Sequence, residues 1–193
     1  MNKDLMNESQ ILSASNLYKA YDGKEIIQDI TFSVEEGEIL SLVGPSGCGK
    51  TTLLHILAGL EKPTSGNYSL SGQCSMVFQE PRLLPWKTVT DNIKIRNNLS
   101  EDNIPDSRVE DLLELIELEP YSDSYPHKLS GGMKQRVAFA RAMAIQPDIL
   151  FLDEPFSSLD FFTKRNLQKQ ILDILESQNI TAIYVTHDLQ SAL

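Results

Sequence analysis

The sequence predicts an α/β fold: a mostly parallel sheet with helices, an antiparallel β-rich N-terminal part and an inserted helical region. Three observations carry that reading. Ile39–Val43, Ile149–Leu152 and Ala182–Val185 are short, near-continuous apolar runs separated by helical stretches, which suits strands buried on both faces. Ile30, Phe32 and Val34 alternate with Thr31 and Ser33, as in a strand with one wet face. Val109, Leu112, Leu113 and Ile116 recur at helical spacing between Pro105 and Pro120.

Taken in order, the chain opens on MNKDLMNESQ, which lacks the basic start and apolar stretch of a signal peptide and reads as a frayed polar arm over residues 1–10. Asp22-Gly23 supplies a turn ahead of the alternating strand, and Glu36-Gly37 marks a second. The apolar run Ile39–Val43 leads into Gly44 and then into a helical stretch with Leu53, Leu54, Ile56, Leu57 and Leu60 apolar. A helical insertion follows around residues 80–130. Within it, Glu101 to Ser124 holds nine acidic residues against one basic one, Arg108. A solvated helix face explains that charge most simply, and a docking surface for a basic loop is the alternative.

Composition narrows the function classes. The 193 residues suffice for one well-cored domain, and 41% apolar with 23% charged residues excludes wholesale disorder. No apolar run approaches the roughly 18 residues of a membrane span. A net charge of −10 argues against a nucleic-acid-binding surface. Two cysteines cannot make a disulfide scaffold, so the expectation is a reduced, cytosolic chain.

Gly44-Pro45-Ser46-Gly47-Cys48-Gly49-Lys50-Thr51, followed by Thr52, fits G-x-x-x-x-G-K-[ST] between an apolar strand and a helix. Glycines let the backbone curl so that successive N–H groups face phosphate oxygens, and the helix N-terminus adds its positive end. Lys50 would bridge the β- and γ-phosphates and the Thr51 hydroxyl would hold Mg²⁺. About 100 residues on, the strand Ile149-Leu150-Phe151-Leu152 ends in Asp153-Glu154. Asp153 suits a metal held through water, and Glu154 suits an attacking water that needs polarising. Leu129-Ser130-Gly131-Gly132-Met133 opens a further amphipathic helix, either as a second anion site or as an ordinary serine cap.

GPSGCGKT, LSGGMKQR and LFLDEP, in that order, resemble the ATP-binding subunits of ABC transporters, and the resemblance runs from about Leu12 to Leu193. It implies a phosphate-loop NTPase core over 11–79 and 131–193 that includes a β-subdomain, and a helical subdomain over 80–130. Tyr21 matches the adenine-stacking aromatic, with Tyr18 as competitor. Gln79 matches the glutamine that joins nucleotide site to helical lobe, touching metal and γ-phosphate. Ser158, Leu159 and Asp160 resemble the loop that meets the opposite subunit, and His187 matches the switch histidine. His55 and His127 have no such placement and read as structural, and Cys48 reads as space-filling. The implied mechanism has two copies facing head to tail, each ATP lying between one phosphate loop and the Leu129–Met133 signature of the other. Hydrolysis then drives a separate integral-membrane permease.

The run Met76 to Val89, ending in Leu83-Leu84-Pro85-Trp86-Lys87-Thr88-Val89, resembles importers of nitrate, aliphatic sulfonates and taurine, with similar runs in importers of thiamine-precursor pyrimidines. That implies a bacterial importer, peripheral on the inner face of the cell membrane, served indirectly by a solute-binding protein. Trp86 then packs or docks near the permease groove, with simple burial as the plainer alternative. Two features depart from the family pattern. The segment Asn67–Ser75 is short, which trims a β-turn. The chain also stops six residues after His187, where relatives run on for some tens, so the C-terminal part of the family domain is expected to be absent and apolar surface left bare. A regulatory subunit without turnover and a non-transport ABC ATPase are the competing readings.

Overall fold

β1 (Gln10–Tyr21) and β2 (Lys24–Glu35) pair antiparallel and are joined by Asp22-Gly23, both at positive φ (49° and 80°) as tight two-residue hairpin loops require. The computed structural model describes residues 9–95, 103–156 and 159–186, and within them the chain forms two compact units. Of these, the first unit takes residues 9–76, 148–154 and 172–186, and the second 77–95, 103–147, 155–156 and 159–171. Of the arm expected over 1–10, Gln10 instead opens β1, and the Ser9 carbonyl accepts from the Glu36 N–H.

The first unit contains two sheets. β4 (Ser65–Leu70) completes a three-stranded antiparallel sheet in the order β2-β1-β4. β3 (Ile39–Val43), β5 (Cys74–Val77), β6 (Ile149–Asp153) and β7 (Thr181–Thr186) form the second, in the order β3-β7-β6-β5, with β7 parallel to both its neighbours. β6 and β7 are buried along their whole length, as strands covered on both faces should be. β3 departs from that expectation: its residues are half-buried and Val43 is exposed, because among the described residues β3 ends the sheet with β7 as its neighbour. Between β4 and β5 the short segment turns at Gly72 (φ 80°), where the Gln73 N–H donates to the Asp148 carboxylate at 2.6 Å.

α1 (Lys50–Leu57) is eight residues long, too short to hold itself in water. Packing decides its stability. Leu53, Leu54, Ile56 and Leu57 are buried in a core with Leu12, Leu17 and Val34 from one sheet and Phe151, Ile183 and Val185 from the other. Each such side chain contributes roughly 1.5–3 kcal/mol on burial, which exceeds the cost of nucleating two helical turns. The loop Gly44–Gly49 thereby leads into a helix anchored in the core of the unit.

The second unit is helical, with α2 (Val89–Ile93), α3 (Asp106–Leu115), α4 (Gly131–Met143) and the start of α5 (Phe161–Ser177). Val109, Leu112, Leu113 and Ile116 are buried, while Asp106, Glu110, Asp111, Glu114, Glu117 and Glu119 are exposed, so the described acids of this run form an exposed face. Thr88 caps α2 through a reciprocal capping box with Asp91. Fully buried Asn92 then ties down the preceding loop: its amide donates to the carbonyls of Leu84 (3.2 Å), Lys87 (3.1 Å) and Thr88 (2.9 Å) and accepts from the Leu84 N–H (2.8 Å). Trp86, at the crown of that loop, is 70% exposed, so it is not a core residue.

Candidate nucleotide-binding site

β3 ends at Val43, β6 at Asp153 and β7 at Thr186, and their parallel register brings these C-terminal ends level, with Val43 beside Thr186 and Asp153 beside Val185. In open parallel sheets this edge is where ligands bind. The loop Gly44–Gly49 leaves β3 there and turns into α1, with Pro45, Ser46, Gly47 and Cys48 exposed. Gly49 caps the helix at φ 100°, and a Cβ there would come within 2.9 Å of the Ile26 carbonyl oxygen. Only glycine meets both demands, which explains its place immediately before Lys50.

Four predicted side chains converge on this edge. The Lys50 ammonium donates to the carbonyls of Gly44 (2.8 Å) and Pro45 (2.9 Å) and lies 3.9 Å from Glu154 Oε1. Thr51 Oγ1 donates to Asp153 Oδ1 at 2.8 Å. Asp153 is buried at the end of β6, and burial pushes its carboxyl up from the ordinary value, opposed by the Thr51 hydrogen bond. Glu154 follows in a left-handed backbone conformation (φ 41°), its N–H donating to the Val185 carbonyl at 3.2 Å. A non-glycine residue held there stores strain of the kind that gathers at functional sites. A hydroxyl and a buried carboxylate 2.8 Å apart are hard oxygen donors of the sort Mg²⁺ takes beside phosphate oxygens, so the residues fit that ion.

The Asp153 environment makes a stability prediction. Its folded proton affinity exceeds the unfolded one, so this group favours the fold below the unfolded carboxylate value and loses that contribution as pH rises through the folded value. Asp153→Asn keeps an oxygen for Thr51 and removes the buried charge. Thermal melting at pH 7 without nucleotide or metal should rise by about 2–4 °C, the shift that ~1 kcal/mol makes in a chain of this size, while Mg²⁺-dependent turnover is lost.

Tyr21, at the end of β1, is 43% exposed and hydrogen-bonds through its hydroxyl to the Glu61 carboxylate. Thr52 stands in the first turn of α1, with its hydroxyl near that of Tyr21. Tyr18 is also exposed, and its carbonyl accepts from the Thr64 N–H.

In the second unit, Ser130 caps α4, its Oγ accepting from the Met133 N–H at 3.3 Å, and Leu129 is buried just before it. A Cβ on Gly131 or Gly132 would press to 3.3 Å from Leu159 or Thr163 respectively, so the signature backbone lies close against the start of α5. Asp160 caps α5 by accepting from the Thr163 N–H at 3.1 Å, and hydrogen bonds from Thr163 hold its carboxyl below the usual carboxylate range. The Gln79 carbonyl accepts from buried Gln135 Nε2 at 2.8 Å, and Arg141 donates to the carbonyls of Pro81 (2.7 Å) and Arg82 (2.9 Å). α4, the helix that follows the signature, therefore anchors the Gln79 segment through Gln135 and Arg141. Gln135 and Arg141 were not singled out from the sequence, although a glutamine at core spacing with Phe139 and Ala142 was an available signal. Ser158 and His187 lie outside the described residues.

Known proteins resemble this chain in sequence and in fold. The family described as "ABC transporter" matches residues 27–157. The chain is 49% identical over 177 residues to an aliphatic sulfonates import ATP-binding protein of Pseudomonas savastanoi pv. phaseolicola, covering 91% of this chain and 73% of that one. It is 42% identical over 202 residues to the nitrate import ATP-binding protein of Synechococcus elongatus, covering 96% of this chain and 31% of that one. Among solved structures, the dimeric post-hydrolysis state of the ATP-binding cassette MJ0796, bound to ADP and Pi, superposes with a TM-score of 0.82 at 29% identity, covering 94% of this chain and 90% of that one. Strand-edge geometry, the order of motifs and these likenesses agree that the chain belongs to the ABC transporter family, as one of its ATPases.

Proposed function

We propose that this chain is the ATP-hydrolysing subunit of an importer for a small anion of the sulfonate, taurine or nitrate kind, acting on a separate membrane permease. The supporting observation is the convergence of Lys50, Thr51, Asp153 and Glu154 at the ends of parallel strands. Adenine stacks on Tyr21, and the loop N–H groups with Lys50 take the phosphates. Thr51 and Asp153 would hold Mg²⁺, which when bound would neutralise developing phosphate charge. Glu154 orients a water and takes its proton as the water oxygen bonds the γ-phosphorus and the bond to the ADP oxygen breaks. His187 senses the γ-phosphate.

Half of the phosphate cradle comes from the Leu129–Met133 signature of a second copy, with Ser158, Leu159 and Asp160 at the seam, so an isolated copy turns over slowly. No described helix is long and apolar enough to cross a membrane, and in this reading a separate permease supplies the path. The relatives' names support the solute class. Vesicles holding the chain with its permease and solute-binding protein should take up a labelled sulfonate or nitrate on ATP addition, and Glu154→Gln should stop uptake. ATP turnover unaccompanied by uptake of any of these anions would overturn the importer reading.

A further inference from the structure

The adenine-stacking role of Tyr21 leaves unexplained why an exposed tyrosine on a hairpin end should hold one orientation. Its surroundings supply the reason. The Tyr21 hydroxyl donates to the Glu61 carboxylate, Lys19 Nζ pairs with the same carboxylate at 2.9 Å, and that ammonium sits 4.8 Å over the Tyr21 ring centroid. Lys19 also donates to the Lys62 carbonyl at 2.7 Å. Glu61 is itself placed by the end of α1: Gly59 turns the chain at φ 73°, and the N–H groups of Leu60 and Glu61 both reach the His55 carbonyl. Two further bonds stitch this loop to β1, from the Thr64 N–H to the Tyr18 carbonyl (2.8 Å) and from the Ala20 N–H to Thr64 Oγ1 (3.0 Å).

We infer that Glu61, with Lys19, is a positioning residue for purine binding: it fixes the Tyr21 ring relative to α1, so that base platform and phosphate cradle form one pre-set template. This rests on the reading of Tyr21 as the adenine partner. The hydrogen bond to Glu61 raises the Tyr21 hydroxyl above its ordinary value, and Tyr21 and Lys19 hold the Glu61 carboxyl below its own, so the arrangement persists through neutral pH. A ring held in advance spares the nucleotide the cost of ordering it.

The test compares binding of Mg²⁺-ATP with binding of Mg²⁺-tripolyphosphate, which has no base, each titrated calorimetrically into the millimolar range on the full chain. Glu61→Leu and Tyr21→Phe should each weaken ATP roughly 3- to 10-fold, the effect of immobilising one side chain on binding, and leave tripolyphosphate unchanged. Glu61→Gln, whose amide oxygen still accepts from Tyr21, should restore most of the loss, and the double variant should be no worse than either single one. Wild-type ATP affinity in Glu61→Leu beside a weakened Tyr21→Ala would overturn the inference, as would equal losses for ATP and tripolyphosphate. Wild-type affinity in Tyr21→Ala would instead overturn the stacking role on which it rests.

Discussion

Glu154→Gln is expected to slow ATP turnover by about 10²- to 10⁴-fold, the range for removing a positioned general base, while ATP still binds. The geometry separates the two effects. Glu154 sits one residue beyond buried Asp153 and 3.9 Å from the Lys50 ammonium, and the loop N–H groups proposed to take the phosphates belong to residues 44–51. Glutamine keeps the size and the hydrogen-bonding oxygen, so the left-handed turn at 154 and its bond to Val185 persist, but the amide cannot accept a proton from water. A phosphate-release assay paired with equilibrium ATP binding checks both halves. Turnover within a factor of a few of the parent would assign the base elsewhere.

Lys50→Ala is expected to have the second large effect, and of a different kind. Two unit charges 4 Å apart at an effective dielectric of 20 interact by about 4 kcal/mol, equivalent to about a thousandfold in binding. The Lys50 side chain is 9% exposed, which limits screening, so ATP affinity should fall roughly 10²- to 10³-fold and turnover with it. Its loss also removes a donor from the carbonyls of Gly44 and Pro45, the latter keeping the Cys48 N–H at 3.4 Å. Lys50→Arg should rescue little, because a planar guanidinium cannot replace a compact ammonium curled back on its own loop. Equilibrium titration with ATP distinguishes the two variants: Glu154→Gln binds and stalls, whereas Lys50→Ala does not bind at micromolar nucleotide.

The sequence was most legible where chemistry and periodicity are local. The apolar run Ile39–Val43 is β3 to the residue, the Asp153 that closes β6 is the acid expected at a strand end, and Val109 to Ile116 bury as their spacing foretold. β1 was less readable. Ile11, Leu12, Ser13 and Ala14 are all buried in succession, without strict alternation, and the pairing with β2 shifts register both between Gln10 and Leu12 and after Ala14. Asn92, Gln135, Arg141 and Glu61 were not anticipated as structural ties. Asn92, Gln135 and Arg141 act on backbone carbonyls and Glu61 on side chains about 40 residues away, and such pairings depend on the fold. Trp86 offered two readings on sequence alone, and the Asn92 bonds that hold its loop favour exposure over burial.

The proposed ATP site closes across two copies of the chain. Purified Glu154→Gln should be followed by light scattering with and without Mg²⁺-ATP, using Ser130→Arg in the same background to obstruct the signature. Closure in trans predicts that ATP doubles the molar mass of Glu154→Gln and that the added Ser130→Arg abolishes the doubling while each copy still binds ATP. A mass that stays at one copy with ATP bound, or a doubling indifferent to Ser130→Arg, would contradict it.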